Sequence, residues 1–138
     1  MRVLKLLVLA GLLMTQGCVV LAVGAVAAAA AGVTYTVLGT AEKTFNEEYD
    51  AVVAALQKAL VNLDIKTGDT RKTEENGKVV STEIQAFARD LTITISIERI
   101  TDKATRVVVD ASKKYVVKDS ATAGEILIQT TNNLPKKS

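Results

Sequence analysis

Leu91-Thr92-Ile93-Thr94-Ile95-Ser96-Ile97-Glu98 alternates apolar and polar residues without a break. Successive side chains of a strand point to opposite faces, so Leu91, Ile93, Ile95 and Ile97 are expected in a core. Thr92, Thr94, Ser96 and Glu98 then face water. A strand buried on one side only belongs to an antiparallel sheet with one covered face. The flanking residues repeat the pattern. Upstream, Arg89-Asp90 turns the chain back onto residues 78–88, where Val80, Thr82, Ile84 and Ala86 alternate with Val79, Ser81, Glu83 and Gln85. Before them, Glu74-Glu75-Asn76-Gly77 predicts a hairpin turn, because Asn-Gly supplies the positive φ angles a tight turn needs. Residues 65–73 read as a more polar strand leading into it. Downstream, Thr101-Asp102-Lys103 turns into a strand over 105–111 centred on Val107 and Val109. Four strands with short connections predict an antiparallel meander over residues 65–111.

Two helical patterns flank the meander. Residues 34–43 alternate Tyr35, Val37 and Ala41 with Thr34, Thr36, Thr40 and Glu42, which predicts a first strand. Thr44-Phe45-Asn46-Glu47 then has capping-box spacing. Tyr49, Val52, Val53, Leu56, Leu60 and Leu63 recur at threes and fours, predicting an amphipathic helix over 45–62. Glu47, Glu48 and Asp50 would lie in its first turn, where the helix dipole favours negative charge. A second capping box, Thr122 with Glu125, predicts a shorter helix carrying Ala123, Ile126, Leu127 and Leu134, although Gly124 weakens it. The expected fold is α+β, in the order β-α-β-β-β-β-α. It is a two-layer sandwich with an antiparallel sheet of about five strands and two helices on one face. This domain would span residues 34–134, followed by a loose tail over 135–138.

The N-terminus reads differently. Arg2 and Lys5 precede an apolar run over residues 6–14, which has the length of a signal-peptide core and falls short of a membrane span. Thr15-Gln16-Gly17 breaks that run, and Cys18 follows, the single cysteine of the chain. A cysteine after a small residue at the end of such a leader has the form of a bacterial lipobox. Cleavage after Gly17 would leave Cys18 as the new N-terminus, its thiol carrying a thioether-linked diacylglycerol. The usual leucine three positions before the cysteine is here Thr15. An uncleaved N-terminal membrane anchor is the other reading, since residues 6–33 are apolar apart from Thr15 and Gln16. A disulfide is excluded by the lack of a second cysteine. Residues 18–33 form a Val, Ala and Gly tether. As a helix, residues 19–32 would reach roughly 21 Å, short of a hydrocarbon core of about 30 Å. Gly24, Ala28 and Gly32 are four apart and would share a face, the spacing of small residues in self-associating membrane helices.

Composition excludes more than it assigns. Lysine and arginine number 17 against 15 aspartates and glutamates, and two of the bases, Arg2 and Lys5, lie in the leader. The remainder is balanced, so no nucleic-acid footprint is expected. The densest basic segment, Lys113-Lys114 with Lys118, reads as a solvated face. No histidine occurs, which removes the commonest general base and the commonest metal ligand together. Asp64 with Asp69, and Glu74-Glu75, lack the spacing of a calcium loop. Lys66-Thr67-Gly68 matches one fragment of a penicillin-binding signature, without the Ser-x-x-Lys that completes it. Tyr35 and Tyr49 fall on apolar faces and read as core; Tyr115 is the third tyrosine. No catalytic residue, cofactor or metal is expected.

The lipobox cysteine, the Val/Ala/Gly tract, Tyr35 with Gly39, a helix ending in Leu63-Asp64-Ile65, the hairpins and a final helix occur in one order. That order resembles small proteobacterial lipoproteins of domain-of-unknown-function family 3568. The resemblance covers essentially the whole chain. It implies an envelope location and this fold, and brings no catalytic residues. The expectation is therefore a non-enzymatic envelope lipoprotein with an interaction or structural role, held in the membrane by acyl chains on Cys18. Its partners would be another envelope protein, or a second copy through Gly24, Ala28 and Gly32. Val19 follows the cysteine where an aspartate would signal inner-membrane retention, so the inner leaflet of the outer membrane, facing the periplasm, is favoured. A module that binds a small ligand or lipid between sheet and helices is the alternative, and predicts a deep apolar pocket rather than a filled core.

Overall fold

The computed structural model describes residues 32–36, 38–114 and 117–137. The expected signal peptide, Gly17, Cys18, Gly24 and Ala28 lie outside the described residues, as do Val37 and Tyr115. Among the described residues there are seven strands and two helices, in the order β1 (Thr34–Tyr35), β2 (Ala41–Phe45), α1 (Tyr49–Asn62), β3 (Lys66–Glu75), β4 (Lys78–Ala88), β5 (Leu91–Thr101), β6 (Ala104–Lys113), β7 (Val117–Lys118) and α2 (Ser120–Asn133). All pairings are antiparallel, and the main path across the sheet runs β1-β2-β6-β5-β4-β3. The meander is as expected from the alternation. Ile93, Ile95 and Ile97 are fully buried, opposite Ala111, Val109 and Val107 on one side and Ala86, Ile84 and Thr82 on the other. Val52, Leu56 and Leu60 of α1 and Ala123, Ile126 and Leu127 of α2 close the core from above.

The count of seven corrects the expected five. Residues 34–43 do not form one strand: the chain turns at Thr36–Thr40, and β1 folds back on β2 with Thr34 opposite Glu42. The Thr36 carbonyl accepts from the Gly39 N–H at 3.0 Å, and Gly39 has φ +76°, which a continuous strand cannot contain. Strand β7 adds the seventh, pairing Lys118 and Val117 with Ser112 and Lys113 beyond the end of β2.

Both helix starts differ from expectation. Thr44 does not cap α1, because it lies in β2 opposite Arg106. Burying Ala41 and Phe45 against the core keeps the strand going to Phe45, so the helix begins at Tyr49 rather than at 45. Glu48 is the N-cap and makes no side-chain cap; Asp50 alone supplies acid to the first turn. Helix α2 begins at Ser120 with Asp119, not Thr122, as its cap, and the Asp119 carboxylate accepts from the Thr122 N–H at 2.9 Å. The far end of α1 closes in a Schellman arrangement: Ile65 N–H donates to Leu60 O at 2.9 Å and Asp64 N–H to Val61 O at 3.1 Å. Asp64 takes the left-handed φ of 55° where glycine is usual.

Gly124, a weakness when read as helix propensity, is explained by packing. A Cβ there would lie 2.0 Å from the Tyr35 hydroxyl oxygen. Glycine lets the ring of β1 lie against the backbone of α2. The register also shifts once in β4: Thr73 faces Ser81 but Glu74 faces Val79. Val80 is thereby left out of the pairing, and Val79 packs on the core in the place expected for Val80.

Candidate functional site

The layers do not match in width, and that mismatch makes the site. Two packed helices, each about 10–12 Å across, cover roughly 20–24 Å. Six strands spaced about 4.8 Å apart have axes spanning roughly 24 Å, and side chains add to that. Helix α2 packs on β6 and β2, α1 lies beside it, and all ten residues of β3 remain exposed. The inward residues of β3, Thr67, Thr70 and Lys72, sit opposite Ala86, Ile84 and Thr82 and stay exposed beside the edge of α1. A groove of about 480 Å³ results, walled by Tyr49, Asp50, Val53 and Gln57 of α1 and floored by Ile65, Thr67, Thr70, Lys72, Val79 and Ile84.

Tyr49 closes the inner end. Its hydroxyl hydrogen-bonds Thr82 Oγ1, and the Arg99 guanidinium carbon lies 4.8 Å from its ring centroid. Arg99 is fixed in turn by Nε donating to the Val79 carbonyl at 3.1 Å. Burial raises the Tyr49 pKa above the ordinary value; the Thr82 hydrogen bond and Arg99 pull it down by less, while Asp50 adds a small upward push. The phenol is neutral at physiological pH and acts as a hydrogen-bonding wall, not as a base. A second recess of about 470 Å³ lies at the opposite end of β4, lined by Leu63, Lys66, Phe87, Arg89, Leu91 and Glu125 among others.

The residues singled out in the sequence are dispersed by the fold. Glu47 pairs with Lys137 at 3.0 Å, and its carbonyl accepts from the Thr105 hydroxyl at 3.0 Å. With Glu48 at the N-cap position of α1, its side chain making no cap, and Asp50 on the groove rim, the three acids form no common centre. The basic segment is partly neutralised, since Lys113 pairs with Asp90 and Lys118 with Asp110. Tyr49 is core, as expected, while Tyr35 is half-buried against Gly124. Gly32 is exposed with φ +68° and neighbours Lys43. That lysine donates to Thr131 Oγ1 at 2.8 Å, and partial burial lowers its pKa. Among the described residues no three His, Cys, Asp or Glu side chains gather as a metal site, and no helix is long and apolar enough to cross a membrane. The groove itself was not visible in the sequence. Its one trace there is the polarity of residues 66–75, which fits an uncovered strand.

The family model described as "Protein of unknown function (DUF3568)" matches residues 2–114. The chain belongs to this family. The match takes in the apolar N-terminal run with Cys18 and everything through β6, and ends before β7 and α2. Comparison with curated proteins finds no match.

Proposed function

We propose that this member of the family is a lipid-anchored protein of the bacterial cell envelope, cleaved after Gly17 and acylated on Cys18. Its α+β domain is a non-enzymatic scaffold for interaction on the periplasmic side. The observation that carries the reading is the leader: Arg2 and Lys5, a short apolar run, a polar and small break, then the chain's single cysteine. The family match starts at residue 2, so this leader belongs to the unit the family shares, in keeping with proteobacterial lipoproteins. Two or more acyl chains hold a protein stably where one would not. Val19 in place of aspartate favours the outer membrane.

The test is Cys18→Ala in the native host with radiolabelled palmitate. The wild type should carry label in the membrane fraction, and the variant should be unlabelled and keep its leader. A wild type that takes up no label would overturn the reading in favour of an uncleaved anchor.

Small-ligand binding is the second reading, and the groove beside α1 favours it. The centre between helices and sheet is filled by Leu56, Ile93, Ile95, Ile126 and Leu127, so a ligand would lie at the margin, over Val79 and Ile84. Native mass spectrometry of protein purified without denaturant would show a bound species, which Val53→Trp should expel.

A further inference from the structure

The outer edge of β3 carries a charge pattern that the anchor does not use and that the groove shares only through Lys72. Residues 71–75 read Arg-Lys-Thr-Glu-Glu: two positive charges, a neutral centre, two negative charges. Among the described residues β3 pairs only with β4, so its other edge offers unpaired N–H and C=O groups. Elsewhere on the sheet charges find partners within the chain, as Arg106 does with Glu42 at 2.7 Å and Lys118 with Asp110 at 2.7 Å. Arg71, Lys72, Glu74 and Glu75 form none of the salt bridges among the described residues.

We propose that β3 is the docking edge for a second copy of this chain, paired antiparallel about Thr73. In that register Thr73 faces the other copy's Thr73, Lys72 faces Glu74 and Arg71 faces Glu75, each pair occurring twice. The faces agree as well. Residues 70–75 of β3 alternate regularly, with Lys72 and Glu74 on the helix side and Arg71, Thr73 and Glu75 on the other. Every cross-strand neighbour is then an opposite charge or a threonine, the favourable case for pairs in direct opposition. The alternatives are penalised: parallel pairing sets like against like, and moving the centre to Lys72 or Glu74 opposes a charge to itself. A shift by one residue would put helix-side side chains against those of the open face. Charges on an edge strand usually prevent pairing; segregated by sign, they leave one register open. The two sheets then run into one, with both helical layers on the same side. This surface is independent of the acyl anchor and of Gly24, Ala28 and Gly32.

The experiment uses the full chain in detergent micelles with Cys18→Ser, so that new cysteines are unambiguous. Opposed residues in an antiparallel pair have Cα atoms about 4.5–5.5 Å apart, within disulfide reach. Thr73→Cys should therefore oxidise to a covalent dimer. Thr70→Cys, on the same strand, would sit roughly 20 Å from its counterpart and should not. Adding Arg71→Glu with Lys72→Glu, or Glu74→Lys with Glu75→Lys, to Thr73→Cys should each slow dimer formation by roughly tenfold or more. Mixing the two charge variants should restore it, as a heterodimer distinguishable by mass, which also shows that both are folded. Equal cross-linking of Thr70→Cys and Thr73→Cys, no dimer from Thr73→Cys, or no rescue on mixing would each overturn the proposal.

Discussion

Strands β5 and β3 belong to the same meander and have nearly the same length, yet they share almost nothing else. Strand β5 places Ile93, Ile95 and Ile97 at zero exposure, while every residue of β3 is exposed. Both pair antiparallel with β4, β5 without a break and β3 with two register shifts. The difference is what lies above them. Helices α1 and α2 bury the inner face from β2 to β5 but only edge onto β3, which stays exposed, so β3 is ordered mainly by backbone pairing and β5 by pairing and packing together. Stability resides in the covered half. The uncovered half carries a groove and a charged edge, and both proposed binding surfaces lie there.

The largest expected effect breaks the covered half. Ile95→Ala should cost about 2–5 kcal/mol in denaturant unfolding, whereas Thr70→Ala on β3 should stay within about 0.5 kcal/mol. Comparable losses would mean that β3 is packed after all. Next comes the seat of α2. Gly124→Ala improves helix propensity but drives a methyl into Tyr35, so it should destabilise by about 1–3 kcal/mol. A gain in stability would show that α2 sits further from β1 than described.

The border between the halves is Tyr49. Tyr49→Phe removes its hydrogen bond to Thr82 and should cost about 1 kcal/mol. It also changes the alkaline limb of the stability curve. Burial raises the Tyr49 pKa in the folded state, so the folded chain holds that proton more tightly than the unfolded one. The resulting stability is complete below about pH 10 and is lost as pH rises through the folded value. The difference between wild type and Tyr49→Phe should therefore shrink at alkaline pH; a constant difference would remove this contribution. The smallest effect lies at the end of α1. Asp64→Gly relieves a left-handed residue and should add about 0.5–1 kcal/mol, read as a higher midpoint in urea.

Alternation from Leu91 to Glu98 was enough to read β5 and its buried face, because period-two burial needs only one strand's own sequence. The paired turn residues Asn76 and Gly77, with φ of 52° and 75°, were equally plain. What failed depended on other segments. Thr44 looked like a cap until Phe45 claimed a place in the sheet beside β6. Gly124 looked like a helix defect until Tyr35 came to lie against it. Val79 and Val80 exchanged roles through a bulge that no local pattern announces. The groove was illegible for the same reason: it arises from the relative width of two layers, and no single stretch of sequence records that width. Of the functional readings, Cys18 came wholly from the sequence, while the edge of β3 needed both the charge order and the knowledge that the edge is open.

The proposed envelope reading rests on residues 1–18, and the intact mass of the protein extracted from its native membrane tests it most directly. The account predicts a mass lacking residues 1–17, with acyl chains added on Cys18. An unmodified chain still beginning at Met1 would contradict it, and would make the apolar N-terminus a membrane anchor in its own right.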